Sequence, residues 1–83
     1  MSTAEIVKEL EAQNYYSEIT VLEDETICAV GELMFTRALY IGLDFYGWEK
    51  RFCFEDRDRA NEELKKLKSS DDEPTGYIAR RNG

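Results

Sequence analysis

Residues 35–54 read FTRALYIGLDFYGWEKRFCF, and this stretch decides the fold. Phe35, Leu39, Ile41, Leu43 and Phe45 fall at odd positions, with only Arg37 interrupting the apolar series. Between them stand Thr36, Ala38, Tyr40, Gly42 and Asp44. Successive side chains of an extended chain point to opposite faces, so alternation with period two marks a half-buried strand. Tyr46-Gly47 supplies a two-residue turn, and Trp48 to Phe54 returns as the partner strand. A turn that short fixes the register: Phe45 opposite Trp48, Leu43 opposite Lys50, Ile41 opposite Phe52, Leu39 opposite Phe54. Three of these four pairs are apolar on both sides, as a buried face requires. In this register Tyr40, Asp44, Glu49, Arg51 and Cys53 lie on the outward side, Tyr46 sits at the tip, and Trp48 closes the core beside Phe45.

Upstream, Ser2-Thr3-Ala4-Glu5 is a capping box, with Met1 and Ile6 at the positions of a hydrophobic staple. Ile6, Val7 and Leu10 form an apolar stripe at helical spacing, and Asn14 suits a left-handed stop, which predicts a helix over about Thr3 to Gln13. Tyr16 to Leu22 is the first strand, with Ile19 and Val21 on one face. Glu23-Asp24-Glu25 is a charged turn, Thr26 to Val30 the second strand, and Gly31-Glu32 a break before Leu33 leads into the hairpin. Downstream, Asp56 caps a second helix whose Ala60, Leu64 and Leu67 share a face. Arg59 with Glu63 and Glu62 with Lys66 are i,i+4 pairs. Lys68 to Thr75 is a polar loop, Tyr77-Ile78-Ala79 a short fifth strand at a sheet edge, and residues 80–83 a frayed tail. The order α-β-β-β-β-α-β predicts a single α+β domain over residues 1–83. In it, an antiparallel four- to five-stranded sheet has both helices packed on one face.

A chain of 83 residues buries only about 60% of the surface its unfolded form exposes, so its core is thin. Charged residues make up 35% and hydrophobic ones 42%, enough of each for a water-soluble globule. Eighteen acids against eleven bases give a net charge of -7, which repels nucleic acid and anionic membrane and favours a basic partner. Arg37, Lys50, Arg51, Arg80 and Arg81 are few and stand among acids, so direct nucleic-acid binding is not expected. The first residues lack the basic flank and apolar run of a secretory signal, and no apolar stretch approaches the roughly 20 residues of a membrane helix. A cytoplasmic location is expected. Cys28 and Cys53 form no C-x-x-C pair and read as reduced, small apolar residues. The chain has no histidine, the commonest metal ligand and general base at neutral pH.

No nucleophile elbow, glycine-rich phosphate loop or metal-ligand spacing occurs, so neither enzyme activity nor a cofactor or metal is expected. The acids are unevenly placed: residues 1–25 hold seven of them against the single base Lys8. Such clusters serve solubility in many small proteins. The sharper expectation is that Glu18, Glu23, Asp24, Glu25 and Glu32 form one negative edge. That edge would fill a basic groove built for nucleic acid, with carboxylates in the place of phosphates. On the outward side of the hairpin, Asp44 and Glu49 add charge, while Tyr40 and Tyr46 offer the aromatic anchors that interfaces favour. The competing expectation is a small structural or regulatory module that dimerises through a sheet edge such as the Tyr77 strand, so that the chain is a monomer or a homodimer.

From Trp48 to Ile78 the chain carries an aromatic strand (Phe52-Cys53-Phe54), an acidic cap, an Ala-centred helix and a Glu-Pro-Thr-Gly-Tyr-Ile exit. This resembles a pattern of small open reading frames in phages and prophages. In size, charge and lack of an active site the chain is similar to phage host-defence inhibitors, the anti-CRISPR proteins above all. The resemblance implies stoichiometric, non-catalytic binding to a CRISPR effector in the host cytoplasm, blocking target DNA from a basic channel or locking one conformation.

Overall fold

The computed structural model describes residues 2–82. Helix α1 (Thr3–Ala12) starts at extended Ser2, whose hydroxyl accepts a 3.3 Å bond from the Glu5 amide. That bond satisfies one of the donors a helix leaves unpaired at its start. Asn14, at φ 58°, turns the chain out of the helix in the left-handed conformation expected of it. The staple expected at Met1 lies outside the described residues. Strands β1 (Tyr16–Val21), β2 (Ile27–Glu32), β3 (Arg37–Ile41) and β4 (Lys50–Phe54) follow, then α2 (Arg57–Lys66) and β5 (Ala79–Asn82). The five strands lie in the order β1-β2-β3-β4-β5, each antiparallel to its neighbours. The α+β class and the element order are those expected from the sequence.

The placement of the helices is not. Ala60 and Leu64 of α2, with Leu67, pack on Cys28, Val30, Leu39, Ile41, Phe52 and Phe54. Helix α1 lies on the opposite face, where Ile6, Val7 and Leu10 meet Ile27, Ala29, Ala38 and Tyr40. The expectation of two helices on one face is therefore corrected to one helix on each. The reason is in the central strands. Ile27-Cys28-Ala29-Val30 and Ala38-Leu39-Tyr40-Ile41 are buried at every position. A strand apolar on both faces needs cover on both.

The hairpin register also differs. Ile41 faces Lys50, Leu39 faces Phe52 and Arg37 faces Phe54, a displacement of two residues from the expected pairing. An even displacement keeps every side chain on its own face, so the core survives the change. The strand ends early because Gly42 leaves it at φ 81°. Asp44 Oδ1 then accepts from the amides of Tyr46 (2.7 Å) and Gly47 (2.8 Å), closing a side-chain-capped turn. Residues 42–49 thus form a connection, not a two-residue turn, and the Glu49 amide rejoins the ladder at the Ile41 carbonyl. Phe35 likewise leaves the strand. It sits in the β2–β3 turn closed by the Leu33 amide on the Thr36 carbonyl, and is 86% exposed. At the C-terminal side, Arg80 to Asn82 are not a frayed tail but part of β5. The Arg80 guanidinium (5.2 Å) and the Tyr77 ring (5.0 Å) lie against Phe52.

Phe52 and Phe35 are equivalent in composition and opposite in position, which makes them a test of this pairing. Phe52→Ala should cost roughly 3–5 kcal/mol, a large share of the roughly 5–15 kcal/mol a domain possesses. Phe35→Ala should change stability by no more than about 0.5 kcal/mol. Urea denaturation of both variants reads the difference, and equal losses would refute the register.

Candidate functional site

Antiparallel order gathers the β1–β2 turn, the 42–49 connection and the end of α2 at one end of the sheet. The β2–β3 turn and the start of α2 lie at the other. At the first end the Leu22 amide donates to the Thr26 carbonyl (2.8 Å), and Glu25 takes φ 67° to close the turn. Asp24 Oδ1 accepts from the Thr26 amide (3.1 Å) and Oδ2 from the Ser70 amide (2.9 Å). The Thr26 side chain first, then the Ser70 and Thr26 amides, hold its carboxyl down at about 2. Lys50 Nζ donates to the Ser70 carbonyl (2.9 Å), and Asp72 accepts from the Lys68 amide (2.8 Å). The loop after α2 is thereby tied against the β1–β2 turn. Glu25, Asp44 and Glu49 line one concavity of about 250 Å³ together with Thr3 and Ser70. Beside it Tyr46 is 89% exposed and Phe45 40%.

Six residues expected from the sequence thus come together: Glu23, Asp24, Glu25, Asp44, Tyr46 and Glu49. Their roles divide. Asp24 through both oxygens and Asp44 through Oδ1 accept from backbone amides, while Glu23, Glu25 and Glu49, likewise exposed, make no ion pair among the described residues. Glu18 lies on the flank, on β1, where it and Glu23 line a groove against α2. Glu32 does not join them. It ends β2, roughly 17 Å along the strand from the acidic turn at about 3.3 Å per residue. There it pairs with Arg37 (3.5 Å) and with Arg57.

Tyr40 is corrected too. It is buried under α1, with its hydroxyl 3.1 Å from that of Tyr15 and its ring 5.8 Å from Tyr16 and 5.7 Å from Trp48. Burial raises its hydroxyl above the usual tyrosine range. Of the other side chains expected on the outward face, Cys53 is buried and the Arg51 guanidinium lies over the Trp48 ring at 5.3 Å. Three members of the acidic end were missed: Phe45, Asp71 and Asp72. The signals were Asp-Phe-Tyr-Gly, whose Asp and Gly favour a turn over a strand, and Asp71-Asp72 directly after Ser69-Ser70.

Glu63 is a buried carboxylate on α2. It accepts from the Thr75 amide (2.8 Å) and from Lys66 Nζ (3.0 Å), and so clamps the returning loop to α2. The Thr75 bond is the main cause that lowers its pKa, against the opposing effect of burial. Cys28, in the α2-side core, has its thiol pushed up to about 11 by burial, which keeps it protonated and unreactive. It and Cys53 are free. Among the described residues no three metal-ligating side chains converge, and no helix is long and apolar enough to cross a membrane.

The two structural carboxylates set the acid limit of the fold. Both are depressed, so each stabilises fully above its unfolded value and loses that contribution as pH falls through its folded one. For Asp24 the window runs from 3.8 down to about 2. For Glu63 it begins at 4.5 and extends downward. Asp24→Asn and Glu63→Gln should each flatten the fall of the urea midpoint across these windows; an unchanged acid limb in both would refute the clamps. Comparison with protein-family models, with curated proteins and with solved structures finds no match to this chain.

Proposed function

We propose that this protein is a non-catalytic, protein-binding inhibitor, acting in a cell's cytoplasm, whose acidic end docks on a basic, nucleic-acid-binding surface. One observation carries the proposal: Glu23, Glu25 and Glu49, without an ion pair among the described residues, lie at the same end of the sheet as the turn that projects Tyr46 and Phe45 into solvent. Carboxylates carried on tied-down loops take the place of phosphates opposite Lys and Arg, and the charge raises the association rate. Tyr46 supplies a rigid amphipathic anchor with few rotamers to immobilise. Asp24 and Asp44 contribute by stiffening the loops beneath, so little ordering is left to the moment of binding. The partner class is a basic protein or nucleoprotein complex, and the resemblance to anti-CRISPR proteins makes a CRISPR effector the first to try.

The alternative of self-association has its own supporting observation. β5 ends the sheet and all four of its residues are exposed. Light scattering separates the two readings, since inhibition of the proposed kind needs only a monomer.

Guide-loaded CRISPR effectors, assayed for target-DNA binding by mobility shift, provide the test. At least one should lose DNA binding in stoichiometric proportion to added protein. The loss should weaken as salt rises. The double variant Glu23→Lys/Glu49→Lys and the single variant Tyr46→Ala should each weaken it by about tenfold or more. Charge reversal that leaves both inhibition and its salt dependence unchanged would overturn the acidic-end proposal.

A further inference from the structure

The sheet has two edges, and they are not alike. β5 is four residues long and carries Arg80 and Arg81, the charged, short form in which natural edges are protected. β1 is six residues, Tyr-Ser-Glu-Ile-Thr-Val, without proline, lysine or arginine. Its only irregularity is between Tyr16 and Glu18, where the Ser17 hydroxyl donates to the Val30 carbonyl (3.2 Å), and the strand is regular from Glu18 to Val21. The Leu22 amide bonds the Thr26 carbonyl, which makes Leu22–Thr26 a hydrogen-bonded pair. Such pairs alternate along an antiparallel ladder, so Thr20–Cys28 and Glu18–Val30 are the next ones. The amides and carbonyls of Ile19 and Val21 therefore point away from β2, to the open side.

Grooves flank this edge on both faces. On the α2 side a cavity of about 320 Å³ has Leu22, Leu64 and Leu67 as its apolar wall, with Glu18 and Glu23 on the strand side and Lys65 and Lys68 on the helix side. On the α1 side a depression of about 290 Å³ lies between Glu11, Tyr16, Ser17 and Ile19. A strand added at β1 would drop alternate side chains into the two.

We infer that the β1 edge is a docking site for an extended, basic segment of a partner protein, which joins the sheet as a sixth strand. Charge selects this occupant. Glu11, Glu18 and Glu23 border a strand that carries no base, against Lys65 and Lys68 on the helix side of one groove, and a second copy brings another -7. Lys65 and Lys68 offset the acids within the α2-side groove, so the residues entering it are apolar. Lys or Arg at the intervening positions meets Glu11 on the other face. The site lies along the flank of the sheet and does not depend on the end that carries Tyr46.

The test uses the full chain, labelled for NMR, and the capped peptide Lys-Val-Lys-Val-Lys-Val as probe. Saturable amide shifts should centre on residues 18–22, and hydrogen exchange at Ile19 and Val21 should slow by about tenfold or more. The counterpart Glu-Val-Glu-Val-Glu-Val should bind about tenfold or more weakly. Of two probes N-methylated at every valine or at every lysine, one should lose about tenfold or more in affinity, because one set of amides faces β1. Glu25→Lys/Glu49→Lys should leave the probe bound at the edge, which separates this site from the acidic end. The inference fails if both methylated probes bind as well as the parent. It also fails if shifts stay within residues 23–25 and 42–49, or if no saturation is reached at millimolar probe. A free protein that is already a dimer with Ile19 and Val21 protected would assign the edge to a second copy and overturn it as well.

Discussion

Everything in this molecule rests on burying β2 and β3 from both sides at once. Val30, Leu39 and Phe52 stand in register across three strands on one face, and Ala29 and Tyr40 lie side by side on the other. Each buried face removes apolar area worth about 25 cal/mol per Å², and a chain of this size has few other places to find it. Two layers of cover are required, and the chain has two helices, so one goes to each side. Ala29 and Ala38 leave the space on the α1 face that Tyr40 and its neighbours Tyr16 and Trp48 fill. Once both faces are covered, the sheet itself can meet another molecule only at its ends and edges.

The elements were legible because local signals agreed with the fold. Ser2 and Asp56 cap the two helices, and Ala60, Leu64 and Leu67 face the core. The layering was not legible from alternation alone. Ala38 and Tyr40 break the apolar/polar contrast of residues 35–45, and they do so because that face is buried as well. The register was missed because Asp44 has a side-chain oxygen with two amides within reach. A turn capped in this way outcompetes two more rungs of ladder. Glu32 and Tyr40 fell out of the site for the same kind of reason. One was carried away by strand direction and the other was turned inward by a helix on the second face.

The carboxylates that remain divide into two kinds, and the difference is where their oxygens are spent. Asp24, Asp44, Asp72 and Glu63 bond backbone amides and hold loops in place. Glu23, Glu25 and Glu49 are exposed, and their charge is carried by loops that the first group has fixed. Net charge alone does not create a docking surface, since a dispersed -7 only keeps a protein soluble. Its concentration beside Tyr46, on backbone that cannot easily yield, is what gives the acidic end direction.

The edge and the acidic end meet at Glu23. β1 runs toward the β1–β2 turn, so any extended segment paired with Ile19 and Val21 leaves the strand beside Glu23, next to Asp24 and Glu25. Lys65 and Lys68 border the groove from the helix, and their charge opposes a basic residue inside it while Glu23 attracts one just beyond. A segment that alternates apolar and basic residues along the edge and carries a further base past its end would satisfy both surfaces without changing direction. Backbone pairing of that kind depends weakly on salt, because its hydrogen bonds are between neutral groups, whereas the charge attraction proposed at the edge and at the acidic end is screened over about 10 Å at 0.1 M. Salt would therefore weaken the charged contacts proposed at both surfaces and spare the strand's backbone hydrogen bonds.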